Sequence, residues 1–398
     1  MHTTTHSIAP LPVRVPPQPW EDLHSFLTRT AKQMHYERVN QVIQPEMSHF
    51  RIASSQVSLL AERADYRFLS DLLLLSEEAL YQMTLHRFSA PFKHLEYFPV
   101  IKVPSWRSGL TEYLKPKIAL HHDPIERPRL QRDLHRTFFL PNQTTQICPL
   151  CLQEEVAYDR LYWKARYLLT CHKHRLLLLR HCPHCSRRIP SQRLDPTSCP
   201  YCRHSYASTV TLRIAPEAMG LVSGDQLTLR ALGVLPPLDH PSIPLELNDP
   251  RTLLPPQQYI ALLRAFCISL HRLQPADVQS LLPNAFTAFL HTNQLFQRPY
   301  PDAVPPLQVA ITHWIFSAWP DHFLAFLDVL ACWSRKTKKK HAFDNFPHHF
   351  LLGDLAKDAL AIVSHAYQQY QPTYSLQTLE HRIQEHLDAC NTASSSSP

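Results

Sequence analysis

The sequence predicts a mainly α fold: an N-terminal helical domain with a helix-turn-helix-like region, a central double zinc finger and a C-terminal all-α domain. Three observations carry that prediction. Gly is scarce, 5 in 398 residues, while Pro reaches 36, about 9% against a typical 5%; this disfavours sheets built on glycine turns and favours helices separated by stiff connectors. Apolar residues recur at helical spacing toward both ends of the chain. Between those regions, four closely spaced Cys/His pairs interrupt the helical pattern. The length exceeds what one core normally holds, and the composition shifts divide it into 1–141, 142–210 and 211–391, with a small polar tail at 392–398 expected to be disordered.

Residues 1–19 are proline-rich and extended, and a first helix is predicted over 20–34. There Leu23, Phe26, Leu27 and Thr30/Ala31 share a face, and Glu21 and Asp22 lie near the positive end. Short helices are then predicted at 57–64 and 66–75, followed by a third opened by Ser76 as N-cap with Glu77 and Glu78 in its first turn. Short helices joined by tight turns suit a helix-turn-helix and equally an ordinary helical bundle. The stretch 90–141, with Phe92, Tyr97, Phe98, Trp106 and Tyr113 among many prolines, is too apolar for a disordered tether and shows no assignable element.

The central segment carries the chemistry. Cys148 and Cys151 form one CxxC, and nineteen residues separate it from Cys171, with which His174 makes a CxxH; after seven more residues come Cys182 and Cys185, and after thirteen Cys199 and Cys202. Two residues between ligands let a tight turn aim both side chains at one ion, and two such knuckles supply the tetrahedral N/S shell that zinc prefers. Iron–sulfur or redox cysteines are the competing reading. Sequential pairing closes two short loops, although an interleaved cross-brace satisfies the same ligand count. His172, His181, His184 and His204 are alternative donors, but only His174 repeats the knuckle spacing. Two structural zinc ions are therefore expected. With four protein ligands each, both shells are full, whereas a catalytic zinc keeps one position for water. The apolar strip 176–179 between the sites should be core, with Trp163, Tyr167 and Leu168 as partners.

After a proline-rich stretch at 235–256, helical patterns return at 257–273, 304–333 and 350–370, with Pro320 expected to end one helix after Trp319 and to start another with Asp321 in its first turn. Cys267, Cys332 and Cys390 stand apart from any pair and read as buried or free thiols.

Charge and exclusions narrow the function. The chain carries +7 overall, but from Arg160 to His204 ten Lys or Arg face a single acid, Asp195, and the zinc–thiolate sites offset only about 3 of that excess. Arg187, Arg188, Arg193 and Arg203, with Tyr201 and Tyr206 close by in the sequence, are candidate nucleic-acid contacts; a solvated basic face is the alternative. Lys338, Lys339 and Lys340, in a run that begins at Arg335, are further candidates for a nucleic-acid backbone. No HExxH, no deaminase-type HxE with PCxxC and no glycine-rich phosphate loop occurs, which disfavours metalloprotease, deaminase and ATPase chemistry. Apolar runs such as 72–75 are far short of the roughly 18 residues of a membrane span. With no secretory-type segment, a soluble cytoplasmic protein with reduced thiols is expected.

Three stretches resemble the TniQ family of transposon target-selection adaptors. They are Pro12-Val13-Arg14 with Glu21 through Ala31; the Cys148-Pro149-Leu150-Cys151, Cys171-His172-Lys173-His174 and Cys182-Pro183-His184-Cys185 motifs; and Trp319-Pro320-Asp321-His322-Phe323 with Phe326-Leu327. The resemblance spans roughly 11–335 and is most specific at the metal motifs. It implies a non-catalytic adaptor that marks target DNA, or sits on an RNA-guided CRISPR effector complex, and recruits an AAA+ transposition ATPase, in some members as a homodimer. Where the family pattern has glycine after His174 and Cys185, this chain has Arg175 and Ser186, a departure that bears on the turns and touches no ligand. A zinc-containing, sequence-specific transcription regulator is the alternative, and neighbouring genes for an ATPase and a transposase would separate the two.

Overall fold

The computed structural model describes residues 9–47, 63–92, 139–140, 144–209, 214, 219–236, 254–270, 306–336, 359, 361–363 and 365–366. These residues are helical, with single-residue β-bridges and no strand among them. They fall into two compact units, one holding the N-terminal helices together with the cysteine-rich segment, the other the C-terminal helices.

In the first unit, helix α1 (Leu23–Gln33) follows Asp22, whose extended backbone occupies the N-cap. Leu23, Phe26, Leu27 and Ala31 fall three, one and four residues apart, so they line one face and are almost completely buried. The helix ends where Met34 donates to Thr30 and Ala31, and His35 takes a left-handed φ of 57°. The buried face of α1 packs with Val42 and Ile43 of α2 (Asn40–Met47), Tyr66, Leu69, Leu72 and Leu73 of α3 (Arg63–Leu73), and Leu80 of α4 (Glu77–Gln82). As the sequence predicts, Ser76 caps α4, accepting a bond from the Ala79 N–H at 3.1 Å, with Glu77 and Glu78 in the first turn. Helix α2 was not anticipated; it is short, holds β-branched Val42 and Ile43 and contains Pro45, so its local preference is weak and packing decides it. Most of the helix predicted at 57–64 and the stretch 93–138 lie outside the described residues.

The second unit contains α5 (Met219–Ala231), α6 (Pro256–Leu270), α7 (Pro306–Ser317) and α8 (Asp321–Lys336). Pro320 separates the last two as predicted, although α7 stops two residues earlier than Trp319. An aromatic cluster fills the centre: Phe266 meets Phe316 edge-on at 4.9 Å and Trp319 stacks on Phe323 at 4.6 Å. The α5 helix carries Gly220 and Gly224, poor helix formers, and was not predicted. Tertiary packing explains it, because a Cβ on Gly224 would lie 2.2 Å from His313 Nδ1, and one on Gly220 3.2 Å from Ser317 Cβ. The glycines let α5 approach α7 closely enough for the buried pair His313–Asp225, at 3.3 Å, to form. Cys267 is buried here, with its thiol pushed up to about 12 by desolvation. Cys390 and the tail 392–398 lie outside the described residues, as does most of the helix predicted at 350–370.

Candidate metal centre

The cysteine-rich segment is built from turns held by paired backbone bonds. In three knuckles the same pattern repeats. The N–H of Cys171, Cys182 and Cys199 donates to the carbonyl five residues on (Leu176, Arg187 and His204), at 2.8, 2.8 and 2.9 Å. The N–H four residues on (Arg175, Ser186 and Arg203) donates back to the Cys carbonyl, at 2.7, 2.9 and 2.9 Å. Closing such a turn needs a left-handed residue at that fourth step, and Arg175, Ser186 and Arg203 have φ of 52°, 60° and 62°. The non-glycine residues at the first two positions therefore retain the turn and accept its conformational cost. The Cys148 knuckle differs, closing through a 3₁₀ turn at Cys151–Gln153.

These turns bring the donors together in sequential order. Cys148, Cys151, Cys171 and His174 form one set and Cys182, Cys185, Cys199 and Cys202 the other, the ligand atoms of each lying within 4.8 Å of one another. In the first, His174 Nδ1 stands 3.4, 3.3 and 3.7 Å from the Sγ atoms of Cys148, Cys151 and Cys171, and Cys151 and Cys171 are 3.6 Å apart. In the second, Cys182–Cys202 and Cys185–Cys199 are both 3.7 Å. A tetrahedron with Zn–S and Zn–N bonds of ordinary length has S···S edges of about 3.8 Å and N···S edges of about 3.5 Å. Both sets fit it, and each could hold one metal ion with four protein donors.

Crowding shapes the thiols. Thiol hydrogen bonds from Cys148 and Cys151 hold Cys171 far below the ordinary cysteine range, while Cys148 and Cys171 drive Cys151 far above it. In the second set, burial pushes Cys182 up to about 12. Burial also opposes ionisation of Cys199, yet N–H donation from Cys202 and Tyr201 outweighs it and brings that thiol down to about 6. Without a cation, the thiols of each set share protons because several adjacent negative charges are unfavourable; a divalent ion removes that penalty.

The alternative histidines stay outside both sets. His172 packs on Tyr162 with ring centres 5.6 Å apart, and burial lowers its pKa; His184 and His204 stack on each other at 5.3 Å. Between the sites, Ile147 and Leu179 exchange backbone bonds at 2.9 and 2.8 Å, and Leu176 and Leu178 join Trp163, Tyr167 and Leu168 in a buried core.

Much of the basic excess turns out to be internal. Lys164 is buried against Asp22 at 2.5 Å, Arg166 donates to the Phe139 carbonyl at 3.0 Å, and Arg180 donates to Gln146 and to the Arg166 carbonyl. Arg193 requires a correction: grouped in the sequence with surface arginines, it is buried and paired with Asp159 at 2.5 Å, while also donating to Pro190 and Pro196. Arg187 and Arg203 are exposed and Arg188 is half-buried. Lys338, Lys339 and Lys340 lie outside the described residues.

Sequence spacing gave no signal for the interlock between α1 and this segment. Glu21 is buried beside α1, accepting two bonds from Arg29 at 2.7 and 2.6 Å; burial raises its pKa against that pull. Asp22 N–H donates to the Asp159 carbonyl, the Asp159 N–H donates to Ser25 Oγ, and Leu161 N–H donates to the Trp20 carbonyl. Of the two acids expected to serve the helix end, Asp22 ties the helix to the metal segment through Lys164 and the Asp159 carbonyl, while the Glu21 carboxylate pairs with Arg29 of α1 itself.

These bonds tie the start of α1 to residues 159–161, which lie between the Cys151 and Cys171 donors of the first set. Residues 12–178 match the TniQ family model. The TniQ match takes in α1 to α4 and the whole first metal set, and it stops just before Cys182. No curated protein matches the chain. Among the described residues, no helix is long and apolar enough to cross a membrane.

Proposed function

We propose that this chain is a non-catalytic target-selection adaptor in DNA transposition, folded around two structural zinc ions. In this reading it binds target DNA, or an RNA-guided CRISPR effector complex, and recruits an AAA+ transposition ATPase. The observation that carries the reading is the TniQ match running through α1 into a Cys₃His set whose four donors already sit at tetrahedral separations. Cys148, Cys151, Cys171 and His174 would hold one ion, and Cys182, Cys185, Cys199 and Cys202 the other. Zinc at such sites supplies folding energy and leaves no position at which water is activated. Arg187, Arg188 and Arg203 provide a basic face for nucleic acid, and the C-terminal helices form a separate all-α domain.

The test is reconstitution. Purified chain should contain about two zinc ions per molecule, as structural sites of this class require, and should recruit an AAA+ transposition ATPase to target DNA. A metal-replete preparation without zinc removes the structural assignment; zinc-loaded protein that neither co-purifies with the ATPase nor brings it to DNA removes the adaptor role.

A further inference from the structure

The second metal set has an internal two-fold relation that its sequence does not announce. Each knuckle has an exposed residue between its ligands, His184 in the first and Tyr201 in the second, and another residue two places after its last ligand, Arg187 and His204. The contacts cross between knuckles. Arg187 lies over the Tyr201 ring, 4.9 Å from its centre, and His184 stacks with His204 at 5.3 Å and 14° between planes. Beneath them the thiols pair with the same crossing, Cys182 to Cys202 and Cys185 to Cys199. Two flat stacked pairs are therefore mounted side by side on turns braced by the ligand shell.

We infer that this surface is a stacking platform for unpaired nucleobases, with Tyr201 as its principal contact and Arg187 and Arg203 holding the adjoining phosphates. The inference rests on the reading of this face as a nucleic-acid contact and adds the class of ligand. Tyr201 is 51% exposed although one face is covered by Arg187, so an aromatic surface is presented to solvent from a rigid turn. Aromatic rings held this way bind bases with little regard to sequence, because every base has a π-face. Neither Arg187 nor Arg203 has an ion-pair partner among the described residues, and Asp195, the one acid between Arg160 and His204, is engaged by Thr197 and Ser198. The positive charge is thus available to phosphate. A paired base keeps its faces inside the helical stack, which makes single-stranded or looped nucleic acid the better fit.

The experiment is fluorescence anisotropy with the zinc-loaded full chain and a labelled single-stranded DNA of roughly 20 nucleotides, longer than a typical single-strand site, against the same sequence as duplex, over a range of salt. Tyr201→Ala should weaken single-strand binding by roughly 10- to 100-fold, leave its salt slope unchanged and alter duplex binding little, while Tyr201→Phe retains affinity. Arg187→Ala with Arg203→Ala should instead flatten the slope by about 1 to 2. If Tyr201→Ala binds as the parent does while the double arginine variant flattens the slope, the platform is overturned and the basic face stands. Equal losses on single strand and duplex also overturn it. If neither variant changes binding, both readings fall. Zinc content and melting temperature should match the parent in every variant, since the changed side chains are exposed.

Discussion

Replacing Arg193 with Ala distinguishes a structural arginine from a DNA contact. Its guanidinium is bonded to Asp159 at 2.5 Å, with the two side chains only 1% and 6% exposed, and it also donates to the carbonyls of Pro190 at 2.8 Å and Pro196 at 3.3 Å. Removing one partner of a buried pair leaves the other charge uncompensated, at about 3–5 kcal/mol. The orphaned carbonyls push the value toward the upper end of that range. Burial already raises the pKa of Asp159 against the pull of Arg193; without the arginine, protonation of that carboxyl becomes still more favourable. A raised acid pKa stabilises the folded state below the unfolded value and loses that contribution as pH rises through the folded one. The defect of Arg193→Ala should therefore be larger at pH 8 than at pH 6. Adding Asp159→Asn should recover part of the loss, because a neutral amide is cheaper to bury than an unpaired carboxylate. Urea unfolding in excess zinc, followed by tryptophan fluorescence and by zinc release to a chromogenic chelator, measures all three variants. A change within about 0.5 kcal/mol for Arg193→Ala, the usual span of surface substitutions, together with a flattened salt slope on DNA, would refute the buried-pair reasoning.

Gly224→Ala should destabilise the C-terminal unit by about 1–3 kcal/mol, the usual range for overpacking, because its new methyl meets the His313 ring at 2.2 Å; thermal unfolding compared with an exposed Ala control reads this. At the knuckle turns, Ser186→Gly should stabilise the metal-loaded chain by up to about 1 kcal/mol and Ser186→Val should destabilise it by more, since a left-handed φ strains an L-residue, most of all a β-branched one; denaturation midpoints in saturating zinc should rank the three forms in that order. Zinc binding at pH 7 should release protons at the second site, because Cys182 sits near 12 and Cys202 is also raised, while Cys199, near 6, is already largely thiolate. Calorimetry in buffers of different ionisation enthalpy should show that release, with zinc affinity falling as pH is lowered.

Several features were legible because their causes are local. A two-residue gap between ligands is a property of one turn, so all eight donors stand out by spacing, and so do the face of α1, the Ser76 cap and the break at Pro320. The grouping of donors was open from spacing alone; the donor atoms of each sequential set lie within 4.8 Å of one another, which favours sequential sites over an interleaved arrangement.

What the chain by itself determined is the metal-binding vocabulary and the helical class, since ligand spacing and apolar periodicity act within a few residues. Tertiary structure alone decided which charges face solvent. Ten basic residues in one segment look like a surface until Asp22 and Asp159 are brought to Lys164 and Arg193. Burying a charge is favourable only beside a partner, and that partner arrives from a distant part of the sequence. The close approach of α5 to α7 has the same origin: a missing Cβ is a defect in an isolated helix and a requirement where His313 must pass.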